Sequence, residues 1–203
     1  MTDKTPKEIM AYDMARLATI SNIGMKGVDP MDIQPPKILL MSNMSDFSTF
    51  TDAEGKSPKV GDYFHTGKNL IMKDFVCHFL FAAKRKWIDK RKGGEEKDMY
   101  ATIGCFGEDL TLFGMSFRSS SLYALAPLFT AAKSQRRPMF SLICKVETKE
   151  LTNDKGTWNI PVVRVVGPEA DTEKLAKLEE LAKRLDSKTE EVVVEKEDDG
   201  IPF

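Results

Sequence analysis

The stretch from Leu70 to Ala83 constrains the fold most tightly, because it is dense in Phe, Val and Ile and is broken only by Lys73-Asp74. Aromatic and β-branched residues suit a pleated, half-buried surface, and a strand this long usually bends or coils, as barrel strands do. Phe75, Phe79 and Phe81 share one strand parity and predict a single apolar wall. Shorter strands are expected at Lys37–Ser42, Val60–His65, Lys97–Ile103 and Leu110–Phe117. With 203 residues, 41% of them hydrophobic and 12 of them Phe, the chain has enough apolar material for one domain plus extensions.

Ser121–Lys133 departs from the β pattern. Leu122, Leu125, Leu128 and Phe129 fall on one helical face, Ser119 or Ser120 is placed to cap it, and Pro127 is expected to kink or split it. Pro138–Leu151 and Thr157–Val166 then read as a closing hairpin around Asn153-Asp154-Lys155-Gly156, with Pro161 marking an edge strand or a bulge. Strands, then a helix, then a hairpin is the order of a mainly β, OB-type Greek-key barrel. Thr5-Pro6-Lys7-Glu8 opens an amphipathic N-terminal helix, and Asp29-Pro30 with Pro35-Pro36 marks a linker. Asp171 caps a final helix whose Leu175, Leu178, Leu181 and Leu185 form a stripe. The expected organisation is therefore a helix and linker over 1–32, a barrel domain over 33–167, a helix over 168–185 and a disordered acidic tail over 186–203.

Charge divides along the same lines. Residues 33–167 carry 20 Lys and Arg against 14 Asp and Glu, a balance of +6, whereas residues 168–203 carry 6 against 12, a balance of −6. A cationic body with an anionic arm fits a polyanion binder whose tail recruits partners or masks the body. No apolar run reaches membrane-spanning length, and the N-terminus lacks the layout of a secretory signal. Cys77, Cys105 and Cys144 are odd in number and far apart, which reads as buried thiols in a reducing cytoplasm.

Signatures of catalysis fail. Gly61 and Gly67-Lys68-Asn69 resemble a phosphate loop, but the spacing is too long and Asn69 replaces the Mg²⁺-binding hydroxyl. Cys77 and His78 are adjacent, so on a strand they face opposite ways and cannot share a metal ion. The expectation is a non-enzymatic protein without metal or cofactor.

The chemistry that remains is cationic and aromatic. Lys84, Arg85, Lys86, Trp87, Lys90, Arg91 and Lys92 follow the long strand, so phosphate-tracking cations surround a ring on which a base can stack. Arg136 and Arg137 form a second basic site, and Arg118, Trp158 and Tyr100 complete the candidate DNA-binding set. At the other end, Asp198-Asp199-Gly200-Ile201-Pro202-Phe203 places an apolar hook and a carboxylate after an acidic run, a pattern suited to a partner's apolar pocket with a basic rim.

That tip resembles the C-terminal tip of bacterial single-stranded-DNA-binding proteins, apart from Gly200 where another acidic residue often sits. A second resemblance runs through Pro36-Lys37-Ile38-Leu39-Leu40, Gly61-Asp62-Tyr63-Phe64-His65-Thr66-Gly67 and Lys86-Trp87, which together look like phage-encoded single-stranded-DNA-binding proteins. The resemblances imply sequence-independent binding of single-stranded DNA in replication, recombination and repair. They also imply recruitment of proteins serving those processes through Asp198, Asp199, Ile201, Pro202 and Phe203, with a possible homo-oligomer and a cytoplasmic location. The alternative is an interaction module that uses the tip to tether or decoy a host enzyme without touching DNA.

Overall fold

The computed structural model describes residues 35–42, 47–89, 94–154 and 156–194, with side chains of the last helix described as far as 185. The expected N-terminal helix, Lys90, Arg91 and Lys92, and the Asp198–Phe203 tip lie outside the described residues. Among the described residues, eight strands form two antiparallel sheets. The smaller has the order β1 (Ile38–Leu40), β2 (Tyr63–His65), β3 (Leu70–Met72). The larger contains β4 (Phe75–Asp89), β5 (Glu95–Phe106), β6 (Thr111–Arg118), β7 (Leu142–Asn153) and β8 (Gly156–Pro168), in the order β6-β5-β4-β7-β8. Helix α1 (Ala126–Ser134) joins β6 to β7 after a 3₁₀ segment at Ser119–Leu125, and α2 (Thr172–Val194) follows β8.

The long apolar run is therefore two strands. Lys73-Asp74 forms a bend, and the halves enter different sheets. The expected closed barrel is not formed: β6 and β8 are the outer strands, and no ladder joins them among the described residues. Both edges are occupied otherwise. The Gly114 N–H of β6 donates to the Pro36 carbonyl at 2.8 Å beside a single parallel bridge from Lys37, while the 3₁₀ segment and α1 pack along β8. Pro161 lies in β8, at the sheet edge its missing N–H demands.

One face of the large sheet is covered by α1 and the small sheet. Its core holds Tyr63, Phe75, Phe79, Phe113, Phe117, Leu125, Leu128, Val146 and Val163, with the rings packed edge to face. Gly104 is required here, because a Cβ at that position lies 2.6 Å from Phe113 Cζ and 2.7 Å from the His78 carbonyl oxygen. Phe81 does not continue the wall. The register between β4 and β5 shifts between Phe79 and Phe81, the parity flips, and Phe81 belongs to neither core. The opposite face is covered at one end by α2, whose Leu178 is buried with Leu80 and Cys105.

The helix boundaries follow local chemistry. Pro127 stands in the first turn of α1 and divides it from the 3₁₀ segment. Asp171 Oδ1 accepts the N–H groups of Glu173 and Lys174 at 2.9 and 3.1 Å, so it caps α2 as expected. That helix continues to Val194, past the end of its leucine stripe, through a stretch in which Lys188, Glu190 and Glu191 are the good helix formers among weaker ones. All three thiols are buried and free, and burial pushes those of Cys105 and Cys144 up to about 12. No helix among the described residues is long and apolar enough to cross a membrane.

Candidate nucleic-acid interface

Lys84, Arg85, Lys86 and Trp87 do not follow the long strand but form part of it, in the outer half of β4. β5 pairs with β6 only as far as Met99↔Arg118, whereas β4 and β5 remain paired out to Asp89↔Glu95. Residues beyond that point form a two-stranded ribbon that stands about 13 Å clear of the sheet, at roughly 3.4 Å per residue over four pairs. Strand alternation then divides the candidate residues. Lys84 and Lys86 share the face of Asp98 and Tyr100, while Arg85 and Trp87 lie on the reverse with Met99 and Arg118.

On the first face two ammonium groups share one carboxylate. Lys84 Nζ and Lys86 Nζ lie 2.7 and 2.8 Å from the Asp98 oxygens. The bond from Lys84, then that from Lys86, holds the Asp98 carboxyl down at about 2, so the cluster keeps one net positive charge at neutral pH. Tyr100 packs edge to face on Phe129 of α1, with centroids 5.4 Å apart, and this ties its ring into the margin of the core.

On the reverse face the Arg118 guanidinium lies over the Trp87 ring, 5.1 Å from its centroid. Segments 31 residues apart in sequence meet here because β5 places both at one end of the sheet. Arg118 is fixed by its own backbone. Ser121 Oγ accepts the Arg118 N–H and donates to the Arg118 carbonyl, each at 2.8 Å, so the cap expected from Ser119 or Ser120 comes from Ser121. The Trp87 indole N–H is shielded from water and meets no acceptor among the described residues. Exposed Arg85 completes a cationic and aromatic patch beside half-buried Ala83, Ala101 and Met99.

The other candidates are dispersed. Arg136 and Arg137 follow α1, where the Arg137 N–H reaches the Ala132 carbonyl at 3.0 Å and the Arg136 N–H reaches that of Lys133 at 3.3 Å. Both side chains are exposed, about 13 Å of helix away from the 3₁₀ segment by the 1.5 Å rise per residue. Trp158 is half-buried on β8, opposite Leu151. Tyr63 and Phe64 are core residues; the Tyr63 hydroxyl donates to the Glu147 carbonyl at 2.9 Å, and burial raises its pKa to about 12.

Sequence reasoning passed over Tyr123. It is 79% exposed and borders an open cleft of about 810 Å³ between the 3₁₀ segment and the β7–β8 ladder. Lys73, Lys149, Arg164, Ile160 and Val162 also line that cleft. The signal was present, since Tyr123 lies off the stripe formed by Leu122, Leu125 and Phe129. Among the described residues no group of three His, Cys, Asp or Glu is arranged to hold a metal ion. No protein-family model matches the chain, and neither does any curated protein or solved structure.

Proposed function

We propose that this protein binds single-stranded DNA without sequence preference and recruits proteins of DNA replication, recombination and repair through its acidic C-terminal tip. The observation that carries the reading is the Trp87–Arg118 pair on the projecting ribbon, with Arg85 beside it. An aromatic face gives every base a stacking surface, and the cations follow the backbone. The strand order agrees with an OB-type Greek key whose closing ladder is unmade: β4, β5 and β6 as a meander, a helix, then β7 beside β4 and β8 outside it. In that architecture the face of the second and third strands and the two hairpin loops receive oligonucleotides. Those elements correspond here to the β5–β6 face and to the connections from β4 to β5 and from β7 to β8. The tip itself is read from its residues alone: a hook of Ile201, Pro202 and Phe203 behind Asp198 and Asp199.

Titration of the full chain with oligo-dT, followed by tryptophan fluorescence, tests the reading. Binding is expected to quench the signal and weaken as salt rises, with a log–log slope of about −0.7 per phosphate neutralised. Trp87→Ala is expected to remove most of the quench and weaken binding about five- to a hundred-fold, from roughly 1–3 kcal/mol per stacked base. Removing residues 198–203 is expected to leave DNA affinity equal or higher. A full chain that ignores oligo-dT in dilute buffer would sink the DNA reading and leave the tethering module in its place.

A further inference from the structure

We infer that the cleft bordered by Tyr123 is a second stretch of the single-stranded nucleic-acid path, with Tyr123 as a stacking platform and Lys73 and Lys149 as phosphate-binding cations. This path rests on the DNA-binding reading and extends it to a part of the molecule away from the β5–β6 face. The cleft continues the ribbon. The ribbon face of Lys84, Lys86 and Asp98 runs toward the helical side of the sheet, where Tyr100, opposite Lys84, packs on Phe129 of α1 and β5 touches the 3₁₀ segment that carries Tyr123. The 3₁₀ segment that carries Tyr123 thus touches the strand that bears that face and also borders the cleft.

Charge favours the same path. The two carboxylates of the cleft are already matched: Lys145 Nζ lies 3.1 Å from both Asp74 and Glu147, and Arg164 Nε lies 2.8 Å from Glu147. Lys73 and Lys149 have no ion pair among the described residues and are exposed. The cleft therefore presents two unneutralised cations beside an apolar floor that includes Ile160 and Val162. Strand alternation places Trp158 on the same side of β8 as those two residues, which brings a second aromatic into line with the floor.

Tyr123 is also rigidly mounted. It stands on a 3₁₀ turn pinned by buried Ser121 and Leu125, so its backbone has little freedom left to lose when a base stacks on the ring. An extended polypeptide fits the site less well, because pairing along β8 meets Pro161, which offers no N–H to an added strand.

The test compares oligo-dT of increasing length on the full chain, the Tyr123→Ala variant, the Tyr123→Phe variant and the Lys73→Ala/Lys149→Ala double variant. Short oligonucleotides that fill only the ribbon are expected to bind all four alike. Longer ones are expected to bind Tyr123→Ala about five- to a hundred-fold more weakly, while Tyr123→Phe keeps the affinity. The double variant is expected to lower the salt slope by about 1.4, or 0.7 for each phosphate no longer neutralised. Because the three side chains are exposed, circular dichroism melts of the variants are expected to match that of the parent chain. If the full chain binds and Trp87→Ala weakens it, yet the cleft variants match it at every length, the path through the cleft is overturned while the ribbon reading stands. Cleft variants that lose binding of an Asp198–Phe203 peptide, with DNA affinity unchanged at every length, overturn it as well. A full chain without oligonucleotide affinity overturns both readings.

Discussion

Arg136 has a backbone φ of +51°, in the left-handed region that costs an L-residue about 1–2 kcal/mol. It occupies the position after the helix end where glycine is usual, and the paired hydrogen bonds from Arg136 and Arg137 close the motif there. Arg136→Gly is therefore expected to stabilise the protein by about 1 kcal/mol in urea melts; a drop in stability would show that the side chain holds the turn. No signal in the sequence announces this cap, because the signal is glycine and the chain uses arginine. The Asp171 cap and the Pro127 break are legible, since each acts through its own side chain or ring on the nearest peptide groups. Ser121 shows the limit of local reading. Three consecutive serines offer the same hydroxyl, and only the β6 geometry selects the third.

Elements are legible as far as alternation reaches. The β7–β8 hairpin and the stripe on α2 follow from side-chain periodicity, whereas the run expected as one bent strand is split at Lys73-Asp74 between two sheets, which periodicity alone does not show. Phe81 departs from the expected wall because one extra residue at the Phe79–Phe81 shift reverses every later side chain of β4. The same reversal decides on which face of the sheet each alternating set of ribbon cations lies, so the candidate site is legible as a set of residues but not as two placed surfaces. Tyr123 escapes a sequence reading for a related reason: a helical stripe draws attention to its buried members and away from the residue it leaves outside. Helix α2 is anchored to the sheet by Leu178, which is fully buried. Leu178→Ala is expected to cost about 2–5 kcal/mol, read as a shift in urea midpoint. A change far smaller than that would mean that the helix is held mainly by its polar end, where Glu169 Oε2 meets His78 Nε2 at 3.2 Å and Lys174 Nζ at 3.3 Å.

At the scale of the whole molecule, acid sensitivity follows from the small sheet. His65 is buried, its Nδ1 accepts the Lys68 N–H at 2.9 Å, and its ring packs edge to face on Phe106. Burial is the main cause that lowers its pKa below 6.5, and a proton on Nδ1 would also break the bond from Lys68. The unfolded chain thus takes up that proton first. The stabilisation is complete above about pH 6.5 and is lost as pH falls toward the depressed folded value. Melting temperature is expected to drop from about pH 7 to about pH 5, with the His65 imidazole titrating below 6.5 by NMR; a flat profile would mean that the ring is not held as described. The prolines at the sheet margins have a different consequence. Pro36 sits against β6 and Pro161 interrupts β8, so neither outer strand offers an unbroken row of donors to a neighbouring molecule. If many copies line up along one DNA, β6 and β8 cannot zip them together by a continuous backbone ladder, and contacts through those two strands run between side chains.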